Sequence, residues 1–294
     1  MTQVIHRIPP KMTTDAWHVI VIGAGGTGSA LLPFLARLHH AMLALGHPGG
    51  IDCTVYDDDV VSETNVGRQA FYPNDVGQHK APLLVTRINT LMGTRWDALT
   101  RRVGDGDVLC ADMVVSCVDT RAARAAIVKA FAIGGGGYYL DCGNDTDRGQ
   151  VILGEIRSAT SESERLAHAG ELLPDLLNPS LDKDDDTPSC SMAEALAKQS
   201  LVINQAIAVQ AYNLLWTLFR TGTLSFNGVF VNLRTGRTNP LPCDTDAWLR
   251  FGYSTKKAKS PNEEERELDS DHERERFKAA EARRYRFGMM SSNV

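Results

Sequence analysis

The chain has 294 residues, 43% of them hydrophobic and 23% charged, the balance of an ordinary globular protein with one large domain or two modest ones rather than a fibrous or disordered chain. A formal net charge of −5 argues against a dedicated nucleic-acid binder, whose surface is usually basic, and leaves room only for a local basic patch. Met1 to Asp15 lacks the apolar core of a signal peptide, and Leu201 to Trp216 is interrupted by Asn204, Gln205, Gln210 and Asn213, so no membrane span and a cytoplasmic location are expected.

Residues 1–16 read as an irregular arm or a frayed end. Pro9-Pro10 bars a regular helix there, and Arg7 is the notable charge. Val19 to Ile22 is a buried parallel strand by composition. It runs into Gly23-Ala24-Gly25-Gly26-Thr27-Gly28 and then an apolar helical pattern through Leu31, Leu32, Leu35 and Leu38. Gly23 and Gly25 let a backbone turn tightly and approach a phosphate, and Gly28 allows close helix–strand packing. The helix start offers unpaired N–H groups and a positive dipole end. A glycine-rich turn without a ligand has the same letters, so the motif alone is weak. Asp57 lies 29 positions after Gly28, where about 20 is usual. Residues 38–50 are therefore expected to add a protruding helix end and loop. His39, His40 and His47 in this stretch read as a helix face and a loop residue, because no carboxylate or cysteine is spaced to complete a metal site.

A second strand, Ile51 to Tyr56, ends in Asp57-Asp58-Asp59. Asp57, at a strand's carboxyl end, is placed to accept from ribose hydroxyls. Three adjacent acids repel phosphates unless cations compensate. Arg68, within Asn65-Val66-Gly67-Arg68-Gln69, and Lys80 are the candidates, with a surface ion pair the plainer role for each. Residues 81–96 predict a helix. Met113 to Val118 predict a strand ending in Asp119, which either coordinates magnesium or caps a helix from Arg121 to Phe131. Gly134 to Gly137 reads as a loop, and Tyr138 to Cys142 and Gln150 to Ile156 as strands joined by a polar turn. A polar, solvated loop follows over about 159–191, then a long helix over 192–220 and a strand or hairpin over Leu224 to Arg234. Residues 255–286 carry dense charge of mixed sign, the pattern of a solvated helix, a mobile tail or a docking segment. The six cysteines form no CxxC pair, and most lie in apolar runs; Cys190, beside Pro188 and Ser189 in a polar stretch, stands apart.

As a set, the glycine turn, Asp57-x-Asp59, Asn65-x-x-Arg68-Gln69, Lys80 and Asp119 resemble the ThiF/MoeB/ubiquitin-activating-enzyme superfamily. More narrowly, the chain resembles the ThiF-family protein of the PRTRC cassette, over about Val19 to Phe219. The resemblance implies an α/β, Rossmann-like adenylation fold: a mostly parallel central sheet flanked by helices, with an antiparallel C-terminal part. That domain would occupy 17–254, with a crossover loop at about 159–191, between an arm at 1–16 and a tail at 255–294.

The implied reaction is ATP-dependent adenylation of the C-terminal carboxylate of a ubiquitin-like protein, with magnesium, in a homodimer. Gly23, Gly25, Gly26 and Gly28 would line the phosphate loop and Asp57 would hold the ribose. Asp59, Asn65, Arg68, Gln69 and Lys80 would surround the phosphates, and Asp119 would hold magnesium. Cys190 matches the crossover-loop cysteine that attacks an acyl-adenylate or joins sulfur transfer, against the alternative of an incidental loop thiol. Arg7 is the candidate for a contact supplied to a partner subunit. Three departures stand out: the absent CxxC pairs, so zinc is not carried over; the 38–50 insertion; and an Arg68–Lys80 spacing one residue short of ThiF. Two other classes compete. An NAD-dependent oxidoreductase would use the glycine turn and Asp57 but does not require Asn65, Arg68, Lys80 and Asp119. A non-catalytic nucleotide-binding scaffold of a plasmid-type cassette would keep the same residues. Within adenylation, a small molecule, a peptide or an RNA-borne carboxylate is the alternative acyl partner.

Overall fold

The computed structural model describes residues 5–157, 165–182 and 199–253. Cys190, the two ends of the expected crossover loop (158–164 and 183–198) and the charged tail from 254 lie outside the described residues. In chain order the elements are β1 (His6–Arg7), β2 (Trp17–Ile22), α1 (Gly26–Ala44), β3 (Ile51–Tyr56), α2 (Lys80–Met92), β4 (Asp97–Leu99), β5 (Met113–Ser116) and α3 (Arg121–Ile133). These are followed by β6 (Gly136–Asn144), β7 (Arg148–Arg157), α4 (Ala169–Leu172), α5 (Ile203–Thr221), β8 (Thr223–Leu224), β9 (Phe226–Asn232), β10 (Arg237–Pro242) and α6 (Thr245–Leu249).

One eight-stranded sheet, ordered β10-β9-β7-β6-β5-β2-β3-β4, carries the fold. From β6 to β4 the strands are parallel; β7, β9 and β10 add an antiparallel half. The strands read as apolar runs because both faces are covered: Val19, Val21, Val55, Val114, Val115, Leu140 and Leu153 are all buried. Helices supply the matching stripes. On α2, Ala81, Leu84, Val85 and Ile88 face the core at helical spacing, while Leu91 is exposed. Crossovers β2-α1-β3 and β3-α2-β4 step one way and β5-α3-β6 steps the other, so the order reverses between β2 and β5. In open α/β sheets the crevice at the carboxyl ends of two such strands is where ligands bind. No described helix is long and apolar enough to cross a membrane.

Several local expectations are revised. The N-terminal segment is fastened: β1 pairs antiparallel with β8, and the Trp17 indole N–H donates to the Met12 carbonyl at 2.6 Å. Residues 38–50 supply the expected longer helix end, with residues 43–46 exposed. α1 simply continues to Ala44 with Leu38 and Met42 buried, and the following turn folds back. Its histidines hold backbone. His39 Nδ1 lies 3.0 Å from the Ile51 carbonyl, His40 Nε2 lies 2.7 Å from the Met92 carbonyl, and His47 Nδ1 accepts from the Gly50 N–H at 3.0 Å. α2 closes at Met92 because Gly93 takes the left-handed conformation. β6 starts at Gly136, inside the expected loop, and the three-residue edge strand β4 has no sequence pattern to reveal it. α5 begins at Ile203 after non-helical residues 199–202, and residues 192–198 of the expected helix lie outside the described residues.

Beneath α3 lies a fully buried ion pair. Arg124 Nε donates to Asp141 Oδ1 at 2.9 Å, with side chains 6% and 0% exposed. The Tyr139 hydroxyl and the Gln150 amide donate to the same carboxylate at 3.3 and 3.4 Å. Removing one partner of such a pair strands the other charge in the core. We expect Asp141→Ala to cost about 3–5 kcal/mol in urea unfolding, and Arg124→Met with Asp141→Leu to recover most of that loss.

Candidate active site

The glycine turn sits at the β2 lip of the switch crevice, and each glycine has a different reason to be there. Gly23 has φ +95°, and a Cβ on it would lie 2.7 Å from the Cys117 carbonyl of the opposite lip. A Cβ on Gly28 would lie 1.9 Å from the Gly23 carbonyl, so α1 can fold back on its own entry loop only with glycine there. A Cβ on Gly26 would strike the Asn204 carboxamide at 2.5 Å, whereas Gly25 faces open space. No side chain caps α1 and no acid occupies its first turn, so its leading N–H groups are left to a ligand or water.

The three acids after β3 separate by function. Asp57 is turned inward: Oδ2 accepts from the Ala24 N–H at 2.6 Å and Oδ1 from the Asp59 N–H at 2.9 Å. It thereby ties the glycine turn to the next strand, and each oxygen keeps a lone pair for a ribose hydroxyl. Burial raises the Asp57 carboxyl above its ordinary range, against the lowering effect of the Ala24 hydrogen bond and the Lys80 charge. Asp59 Oδ2 pairs with the buried Lys80 ammonium at 2.8 Å. Asp58 takes a two-pronged contact from Arg102 Nε at 2.9 Å to each oxygen. Arg102 is also 3.9 Å from Asp59, and its guanidinium is held above its ordinary range by Asp58 first and by Asp59 and Asp119 as well. Arg102 therefore links the acid run to the β5 lip. It was missed because β4, the strand just before it, is only three residues long; the Arg101-Arg102 pair downstream of Asp57 was the only signal.

Asn65, Arg68 and Gln69 form a second group. Asn65 is buried and shapes the loop: its Oδ1 accepts from the Ser62 N–H at 3.0 Å and its carbonyl from the Gln69 N–H at 2.9 Å. The Ala70 N–H then bonds Ser29 Oγ at 3.1 Å, docking the loop onto α1. Arg68 is not the counter-charge for the acid run. Its Nη1 donates to the Gln199 amide oxygen at 2.7 Å, its Nε is buried with no partner among the described residues, and burial lowers its pKa. The Gln69 amide oxygen is likewise buried without a partner.

Asp119 follows β5 at the opposite lip. The helix-capping role is taken by Thr120, whose hydroxyl accepts from the Ala123 N–H at 3.2 Å. The Asp119 side chain is exposed and its carboxylate makes no hydrogen bond to a described residue, while its backbone carbonyl is held by Arg124 Nη1 at 3.3 Å. Among the described residues no group of three or more metal-ligating side chains occurs. Of the described cysteines, Cys53, Cys142 and Cys243 are buried, with burial raising the Cys53 and Cys243 thiols.

An open α/β sheet with a glycine turn, a ribose-competent acid and flanking cations at its switch point defines a nucleotide-binding class of fold. The chain belongs to the ThiF family, whose model matches residues 12–246. It is similar to ubiquitin-like modifier-activating enzyme 5 of Oryza sativa subsp. japonica, at 29% identity over 132 residues, covering 39% of this chain and 29% of that one. The match thus spans under a third of that relative's length. Among solved structures it is similar to PaaA, with 14% identity, a TM-score of 0.50, and coverage of 78% of this chain and 73% of that one. It is also similar to Escherichia coli MccB, solved with ATP, with 15% identity, a TM-score of 0.51, and coverage of 77% and 64%. MccB with MccA gives 15% identity and a TM-score of 0.52, with coverage of 77% and 63%. These likenesses show the shared fold.

The division of labour at the α3 entry is open to direct measurement. Thr120→Ala should lower the free energy of unfolding in urea by about 1 kcal/mol, while Asp119→Asn should change it by no more than about 0.5 kcal/mol.

Proposed function

We propose that this chain is an ATP-dependent adenylating enzyme that activates the C-terminal carboxylate of a ubiquitin-like protein. The observation that carries this reading is Asp119, a carboxylate at the switch crevice relieved of helix capping by Thr120 and facing lips that bear Lys80 and Arg68. A hydride-transfer site needs the glycine turn and Asp57 but none of that set, which is why the oxidoreductase reading is not preferred. MccB, a structural neighbour, was solved with ATP and with MccA, and the family and the activating-enzyme relative support the same chemistry.

In this mechanism the first-turn N–H groups of α1 and the Arg68 guanidinium hold phosphate oxygens, Asp57 accepts from the ribose, and Lys80 adds positive charge beside them. A carboxylate oxygen of the protein substrate attacks the α-phosphorus; the new P–O bond forms as the α–β bridging bond breaks and pyrophosphate leaves. No base is needed, because the carboxylate is already ionised at neutral pH. Charge growing on the phosphate oxygens meets donors already in place, which is the main source of catalysis in such sites. Asp119 would hold magnesium together with phosphate oxygens and water, the usual one-carboxylate arrangement for that ion. Bound there, magnesium would neutralise phosphate charge. The finer parts of the reading are a homodimer, membership of the PRTRC type, a cytoplasmic setting and a later thiol step at Cys190, which rests on the sequence resemblance alone.

The test is ATP–pyrophosphate exchange with magnesium and a ubiquitin-like protein encoded beside this chain. Exchange should require that protein's free C-terminus, and Arg68→Ala, Lys80→Ala and Asp119→Ala should each cut it by about 100-fold or more with the fold intact. Undiminished exchange in all three variants, or NAD binding in place of ATP, overturns the reading. Cys190→Ala should spare exchange and abolish any reducible adduct.

A further inference from the structure

Arg68 differs from other cations of the domain. Lys80, Arg87, Arg102 and Arg124 each meet a carboxylate within 3 Å. Arg68 is half-buried, and among the described residues it pairs with no carboxylate; its partner is the neutral Gln199 amide oxygen, and its Nε is buried and unpartnered. The amide is itself held. Asn204, 3% exposed, donates Nδ2–H to the same Gln199 oxygen at 3.3 Å, and its own Oδ1 accepts from the Thr27 hydroxyl at 3.1 Å on the glycine turn. The relay Arg68–Gln199–Asn204–Thr27 runs from the guanidinium to the first turn of α1 through neutral groups, and the single Thr27 hydroxyl proton is shared between Asn204 Oδ1 and Asn144 Oδ1, each at 3.1 Å.

We propose that Gln199, braced by Asn204, is a positioning residue that fixes Arg68 over the glycine turn while leaving its charge uncompensated, so that the crevice takes up a polyphosphate anion. This rests on the adenylation reading for its substrate and deepens it. The physical reason is a contrast between holding and neutralising. A carboxylate at position 199 would hold Arg68 more firmly but cancel the field an incoming phosphate must meet; a carboxamide holds it and cancels nothing. A guanidinium without a counter-ion in a partly desolvated site is costly alone and stabilised when an anion arrives, and its planar fork suits phosphate oxygens.

The experiment measures inorganic pyrophosphate and ATP binding by calorimetry, together with the thermal midpoint, for the full-length chain and for Q199E, Q199M and the R68A/Q199E double variant. Q199E should weaken pyrophosphate binding by about tenfold or more and raise the unliganded midpoint. Q199M should weaken it less and lower the midpoint. In the R68A background, Q199E should have no further effect on binding. A purely structural Gln199 would instead give losses of stability and binding that travel together in both variants. Pyrophosphate bound equally by wild type and Q199E overturns the clamp, as does a Q199E chain that fails to fold, since a carboxylate beside the guanidinium must stabilise it. Wild-type exchange separates the two claims. Exchange with equal pyrophosphate affinities leaves adenylation standing and removes the clamp. No exchange, but tenfold weaker pyrophosphate binding in Q199E, leaves the clamp standing and removes adenylation.

Discussion

The Arg124–Asp141 pair is the constraint on which the β5 lip depends. Asp141 is fully buried on β6 and Arg124 enters from α3, so the pair fixes the helix against the sheet at one depth and one rotation. The same guanidinium holds the Asp119 carbonyl. A residue at the mouth of the crevice is thereby positioned from the core, and its side chain is spared any structural duty. A buried ion pair is weak grounds for stability, because desolvation offsets most of the attraction. Here it fixes geometry: an apolar replacement would fill the volume but offer nothing to the Asp119 carbonyl.

On the facing lip the constraint is steric. α1 approaches β2 so closely that a single methyl at Gly28 would overlap the Gly23 carbonyl, and Gly23 in turn rests against the Cys117 carbonyl at the end of β5. The two lips of the crevice touch through backbone, and Asp57 ties the turn to β3 through the Ala24 N–H. The turn cannot relax into the space where a ligand would lie. Its shape is set before binding, which is the condition under which fixed N–H dipoles act most strongly on phosphate.

Most of the fold was legible in the sequence because its signals are local. Apolar runs for β2, β3 and β5, glycine spacing at the α1 entry and an acid after β3 and after β5 are all short-range patterns, and the family resemblance supplied the mostly parallel sheet with its antiparallel C-terminal part. What could not be read depends on distant partners. β4 is visible only through its pairing with β3, and Arg102 only because β4 brings it to Asp58. The helical continuation through Ala44 reads in sequence as an insertion because Asp57 lies 29 positions after Gly28, and each histidine ring of residues 38–50 bonds a backbone group from another segment. The capping role read for Asp119 is filled instead by the neighbouring Thr120 hydroxyl, which accepts from the Ala123 N–H, and by Asp182, which accepts from the Arg121 and Ala122 N–H groups.

The paired and unpaired charges at the site follow from the same electrostatic rule. The acid run after β3 is half-exposed and would repel phosphate, so Lys80 and Arg102 answer it, and the group's net field at the crevice is small. Arg68 is half-buried and hydrogen-bonded to an amide that also bonds Asn204, and a carboxylate partner there would cancel its field. A neutral amide reaching from the start of α5 solves that problem and also explains why Gly26 has no side chain: Asn204, the brace of that amide, occupies the space. The C-terminal half of the domain is therefore part of the phosphate end of the crevice, although nothing in the glycine motif points to a residue some 170 positions downstream.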